Sequence, residues 1–128
     1  MPFEKISDTS YYWIESSEDE EFSFENCPQN LQKLWLRGNK LTTFSFENCP
    51  QNLQKLHLRY NKLTTFSFEH CPQNLRILDL WTNQLTTFSF EHCPPNLQEL
   101  DLRANNLNTV IGNSPINCLV HGLKIKPK

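Results

Sequence analysis

A 22-residue unit repeats along this chain almost without change. LQKLWLRGNKLTTFSFENCPQN (31–52) is followed by LQKLHLRYNKLTTFSFEHCPQN (53–74) and LRILDLWTNQLTTFSFEHCPPN (75–96), and a fourth copy opens at Leu97. So short a period implies a solenoid, because no unit of that size buries its apolar face except against its neighbours. Architecture is to be read where the copies agree, and function where they differ.

The unit can be written LxxLxLxxNxLTTFSFExCPxN. Leu34 and Leu36 alternate with Lys33, Trp35 and Arg37, the period-two pattern of a short strand. Stacked at the repeat spacing, such strands make a parallel sheet. Leu34, Leu56, Leu78 and Leu100 then point inward in one column, and Leu36, Leu58, Leu80 and Leu102 in the next. Asn39, Asn61, Asn83 and Asn105 follow the strands, where an inward amide can bond the backbone of adjacent turns. Leu41, Leu63 and Leu85 continue the core, with Phe44, Phe66 and Phe88 behind them and Phe46, Phe68 and Phe90 alongside. Pro50, Pro72 and Pro94, flanked by Cys, Asn and Gln, point to an extended return segment and not a helix. Thr-Thr-Phe-Ser-Phe is compatible with a second short strand or with irregular extended chain.

The ends are worn copies. Sliding back 22 residues from LWLRGN (34–39) lands on YWIESS (12–17), which predicts a capping strand with Tyr12 and Ile14 inward and Trp13 in the column of Trp35. The acidic run from Glu18 to Glu21 is suited to shielding that end. At the other end Val110 replaces the Phe, and Leu123–Ile125 is expected to be the closing strand. A chain of 128 residues is thus one domain: a cap over 1–30, repeats over 31–110 and a second cap over 111–128.

The formal net charge of −2 argues against a nucleic-acid binder driven by phosphate contacts. No apolar run reaches membrane-spanning length, and MPFEKISDTS lacks a hydrophobic signal region, so neither membrane insertion nor a cleaved signal peptide is expected. Four of the five cysteines, Cys27, Cys49, Cys71 and Cys93, recur at the repeat period. They read as a buried thiol column in a reducing compartment, since zinc sites want closely spaced pairs such as C-x2-C. No cofactor and no metal are expected, and His70 and His92 read as surface histidines.

LxxLxLxxNxL in four copies resembles the leucine-rich repeat signature. The short unit ending in CPxNL, with NxLTTF before it, looks like the subtype of secreted bacterial effectors, whose repeats read LPxxLxxLxVxxNxLxxLP. Here Phe and Cys stand where that subtype often has Leu, and the unit is slightly longer. The resemblance spans about residues 9–126. It implies a leucine-rich repeat solenoid of the α/β horseshoe-type superfold, here mostly β with an extended convex side, and a parallel concave sheet of about six strands. It also implies a non-enzymatic module binding a partner protein, such as a host protein, from the cytoplasm or the host-cell cytosol. Some such effectors carry a ubiquitin-ligase domain after the repeats; with the chain ending at Lys128, that activity is not expected.

The copies diverge mostly on the outward strand positions. One column would run Trp13, Trp35, His57, Asp79, Asp101 and then Lys124. The next would run Glu15, Arg37, Arg59, Trp81 and Arg103, with Tyr60 beside it. All three tryptophans sit on this face, and Trp and Arg dominate binding hot spots. The candidate partner-binding residues are therefore Trp13, Trp35, Arg37, His57 and Arg59, with Tyr60, Asp79, Trp81, Asp101 and Arg103. The alternative for the same residues is a surface ladder, with Trp13 stacked on Trp35 and Asp79 paired to Arg59 or Arg103. Catalysis is not expected, because a flat sheet excludes no water and the column holds no Ser or Cys nucleophile. A monomer is expected. The rival is a self-associating module, with the acidic front and the basic Lys124, Lys126 and Lys128 pairing copies.

Overall fold

The computed structural model describes the backbone of residues 3–13 and 21–123 and, apart from Tyr12 and Trp13, their side chains. The strands are β1 (Phe3–Ser7), β2 (Ser10–Trp13), β3 (Lys33–Trp35), β4 (Lys55–His57), β5 (Ile77–Asp79), β6 (Thr87–Ser89), β7 (Glu99–Asp101), β8 (Thr109–Ile111) and β9 (Leu119–His121). The main sheet has seven strands in the order β1-β2-β3-β4-β5-β7-β9. From β2 onward all six are parallel, as the repeat predicts, and no helix occurs among the described residues.

Register follows the sequence columns through the repeats. Leu34 pairs with Leu56, Leu56 with Leu78 and Leu78 with Leu100. These leucines are fully buried, as are Leu36, Leu58 and Leu80. Strands of three residues cannot hold a sheet by backbone pairing alone, so most cohesion lies in the columns behind them. Phe22, Phe44, Phe66 and Phe88 stack face to face at 5.7, 6.0 and 6.0 Å. Phe24, Phe46, Phe68 and Phe90 meet them edge-on, and offset and edge contacts suit the ring quadrupoles.

The asparagine column serves the backbone as expected. The Asn61 Oδ1 accepts from the Asn39 and Leu41 N–H groups, and its Nδ2 donates to the Leu36 and Leu58 carbonyls. Asn83 likewise joins Leu58, Leu63 and Leu80. Each amide thus ties one turn to the previous one. The Thr-Thr-Phe-Ser-Phe segment takes both of its possible forms. It is irregular extended chain in the earlier turns and a strand only at β6, where β8 supplies a parallel partner.

Both ends depart from the expected register. Ser10 pairs with Lys33, Tyr11 with Leu34 and Tyr12 with Trp35. The first junction therefore carries one residue more than the repeat, and a one-residue slip exchanges the two faces of a strand. Tyr11, not Tyr12, takes the core position, while Tyr12, not Trp13, enters the Trp35 column. Ile14 lies outside the described residues. β1 pairs antiparallel to β2 and closes this end as a hairpin, which the repeat pattern does not reveal. At the other end the last strand among the described residues is β9, and residues 124 and 125 of the expected closing strand lie outside them. Glu99 pairs with Leu119 and Asp101 with His121, a spacing shorter than the repeat. His121 therefore occupies the position expected for Lys124, which itself lies outside the described residues. Gly122 turns the chain after β9 at φ +84; a Cβ there would meet the Arg103 backbone nitrogen at 2.6 Å.

Candidate functional site

The outward face of the sheet carries two side-chain columns. The first follows the last position of each strand: Trp35, His57, Asp79, Asp101 and His121. Trp35 stacks on His57, with ring centroids 5.1 Å apart and planes within 5°. The His57 Nδ1 lies 3.6 Å from the Asp79 carboxylate. In the backbone register Trp35 pairs with Tyr12, and the Trp13 side chain of the ladder alternative lies outside the described residues.

The second column lies two residues further along each turn. The Arg59 guanidinium sits 4.9 Å from the Trp81 ring and Arg103 sits 5.1 Å from it, so one indole lies between two cations. Arg37 sits 5.0 Å from the Tyr60 ring, and Tyr60 leans on Trp81 at 5.8 Å. Tyr60 is 41% exposed and holds a left-handed backbone at φ 60. Gly38, Thr82 and Ala104 share that conformation one turn apart. Glycine suits it best, and an aromatic side chain there carries a cost of about 1–2 kcal/mol.

The two aspartates sit deeper than a partner-facing position would suggest. Asp79 is 4% and Asp101 7% exposed. Burial opposes ionisation of Asp79, but His57, the Trp81 N–H and Arg59 outweigh it and hold the carboxyl below its ordinary value. Arg59 donates to it at 2.6 Å and the Trp81 N–H at 3.0 Å. Burial of Asp101 is likewise outweighed by Arg103, whose side chain and backbone N–H both donate to the carboxylate. The Asp79–Arg59 pair of the ladder alternative is therefore present. The aspartates brace the face from beneath, and the surface offered outward is Trp35, His57, Arg37, Tyr60 and Trp81. Glu99 and His121, outside the candidate set, pair at 2.9 Å. Only the true closing register could have revealed them.

On the return side Cys27, Cys49 and Cys71 are buried and Cys93 is half-buried. Burial, with neighbouring cysteines adding to it, pushes Cys71 and Cys93 up to about 12. Burial likewise raises Cys49, so these thiols stay protonated and weakly nucleophilic. His70 and His92 are exposed and lie beside Glu69 and Glu91 at 3.7 and 3.6 Å. Among the described residues no group of three or more His, Cys, Asp or Glu is placed to hold a metal ion. No helix among them is long and apolar enough to cross a membrane.

A family model described as leucine-rich repeats in two copies matches residues 29–70 and 51–92, and a second, described as leucine-rich repeat, matches residues 96–119. No curated protein is significantly similar to the chain.

Proposed function

The chain belongs to the leucine-rich repeat family, and we propose that it binds a partner protein through the concave face of its sheet. Repeats of this family generally mediate protein–protein interaction and are typically non-enzymatic modules. One observation carries the assignment to the concave face. Side chains that vary from copy to copy converge there on a patch of half-exposed aromatics and guanidinium groups, on a backbone that hardly varies. Trp and Arg held rigid by mutual stacking lose little further entropy on binding, which favours them as anchors. Within that reading, the likeness of the repeats to secreted bacterial effectors makes a host protein in the host cytosol the fitting partner.

The test is a pull-down from host-cell lysate with wild type beside Trp35→Ala/Trp81→Ala, followed by reconstitution with the purified candidate. A protein bound directly by wild type and lost with the folded variant supports the concave groove. A partner held equally by both moves the site to the return side or the ends.

A second reading has one observation in its favour. Ile111, Ile116 and Leu119 are each exposed on the last described turns. Apolar surface in that position suits contact between copies. Light scattering decides it: mass rising with concentration and falling in Leu119→Lys supports self-association, and a constant monomer removes it.

A further inference from the structure

Among the described residues the charges of the concave face are not evenly paired. Asp79 and Asp101 each hold a guanidinium, of Arg59 and Arg103 respectively, and Glu99 is engaged by the His121 ring. Three cations on the same face, Lys33, Arg37 and Lys55, form no ion pair among the described residues. They are grouped on β3 and β4 and the turn between them, at one end of the sheet.

Lys33 and Lys55 are direct partners in the parallel register and both are half-buried. Like charges opposite one another across a strand pair repel, and partial burial weakens the screening by water. The next residue along that column is Ile77, and the first carboxylate in it is Glu99, two strands beyond Lys55 and already engaged by His121. On the other side Glu4 lies on β1, two strands from β3. Trp35 follows Lys33 by two residues and spans with His57 a flat aromatic shelf between Lys33, Lys55 and Arg37.

We propose that this end of the concave face, Lys33, Trp35, Arg37, Lys55 and His57, recognises an acidic polypeptide segment. Its carboxylates meet these three cations, which hold no carboxylate among the described residues, and an apolar or aromatic side chain lies on the Trp35–His57 shelf. The inference rests on the concave-groove reading and adds the chemistry of the partner. Complementary charge relieves the Lys33–Lys55 repulsion, so the gain appears as affinity and as a strong dependence on salt. The β5–β9 end, where Asp79 and Asp101 already hold Arg59 and Arg103, contributes shape but little selectivity for an acidic partner.

The experiment is fluorescence anisotropy with a short labelled peptide of Glu and Phe, beside Gln/Phe and Lys/Phe counterparts. The acidic peptide is expected to bind about tenfold or more tightly than the Gln peptide, and the gap is expected to close at high salt. Lys33→Glu/Lys55→Glu should abolish the preference. Lys40→Glu/Lys62→Glu makes the same charge change at two exposed positions beyond the strands and should keep it. Both variants are checked for folding by circular dichroism, and Lys33→Gln/Lys55→Gln replaces the first if it fails to fold.

Equal loss in both Glu variants reduces the effect to net charge and overturns the proposal. Acidic and Gln peptides bound alike, and lost in Trp35→Ala, keep the groove and overturn the acidic preference. Binding of neither, with a lysate partner that ignores Trp35 and Trp81, overturns the groove as well. A single-stranded oligonucleotide bound more tightly than the acidic peptide assigns the patch to a different class of ligand and overturns it.

Discussion

The two sides of the solenoid share one period and use it in opposite ways. On the return side the copies are near-identical, TFSFENCPQN against TFSFEHCPQN and TFSFEHCPPN, and the phenylalanine rings meet their own kind one turn away. On the concave side the copies place Trp, His and Asp in one column and Arg, Arg, Trp and Arg in the next, and each meets something different. Stacking identical rings is a packing solution that every turn can reuse, so change there disturbs two neighbours at once. The concave positions sit outside that stack, and substitution there alters recognition with little effect on packing. The difference separates what the solenoid needs to exist from what it presents to a partner.

The sharpest way to break that contrast is to remove one ring of the stack. Phe68 is 1% exposed and touches Phe66 and Phe88. Phe68→Ala is expected to cost about 4 kcal/mol in urea unfolding, whereas Trp81→Ala on the half-exposed concave side should cost about 1 kcal/mol or less. Equal costs would mean the concave ladder is as much a part of the core as the phenylalanines.

The asparagine column comes next. Asn61→Ala strands two N–H groups and two carbonyls in adjacent turns, with an expected loss of about 3 kcal/mol. Hydrogen exchange should show the new opening at the Asn39 and Leu41 N–H groups first. A loss confined to Asn61's own turn would contradict a column that ties turns together.

A smaller effect concerns the buried aspartates. Asp79 and Asp101 are held below their ordinary values in the folded protein, so each contributes stability that is fully present above the unfolded carboxyl value of about 3.9 and is lost as pH falls through the folded one. The melting temperature should therefore drop from about pH 5 downward. Asp79→Asn should flatten part of that drop and cost about 2 kcal/mol at neutral pH through the weakened bonds to Arg59 and the Trp81 N–H. An unchanged pH profile would show that the pair contributes nothing to folding.

Tyr60→Gly should move stability least, by within about 1 kcal/mol. It relieves the left-handed strain that Gly38 avoids one turn earlier, and it forfeits the contacts with Arg37 and Trp81. Partner affinity should fall nonetheless. Stability and affinity falling together would place Tyr60 with the scaffold and blur the division between the two sides.

The repeat by itself determined the parallel sheet, its leucine columns, the asparagine ladder, the phenylalanine stack and the extended return. Each of these follows from one local pattern applied to every turn, and stacking adds no new choice. It also marked the concave columns, because divergence against a constant background is visible in letters alone. What only the tertiary structure decided lies where the spacing changes or where neighbours choose partners. One extra residue before β3 and a shorter last unit shift the register, so Tyr12 and His121 enter the column in place of Trp13 and Lys124. The β1 hairpin and the β6–β8 pair need a strand beside them before they can form. That Asp79 and Asp101 are buried braces, while Lys33, Arg37 and Lys55 are left without a carboxylate among the described residues, depends on distances across strands. Such distances are properties of the assembled sheet, since residues about twenty positions apart become neighbours only once the turns have stacked.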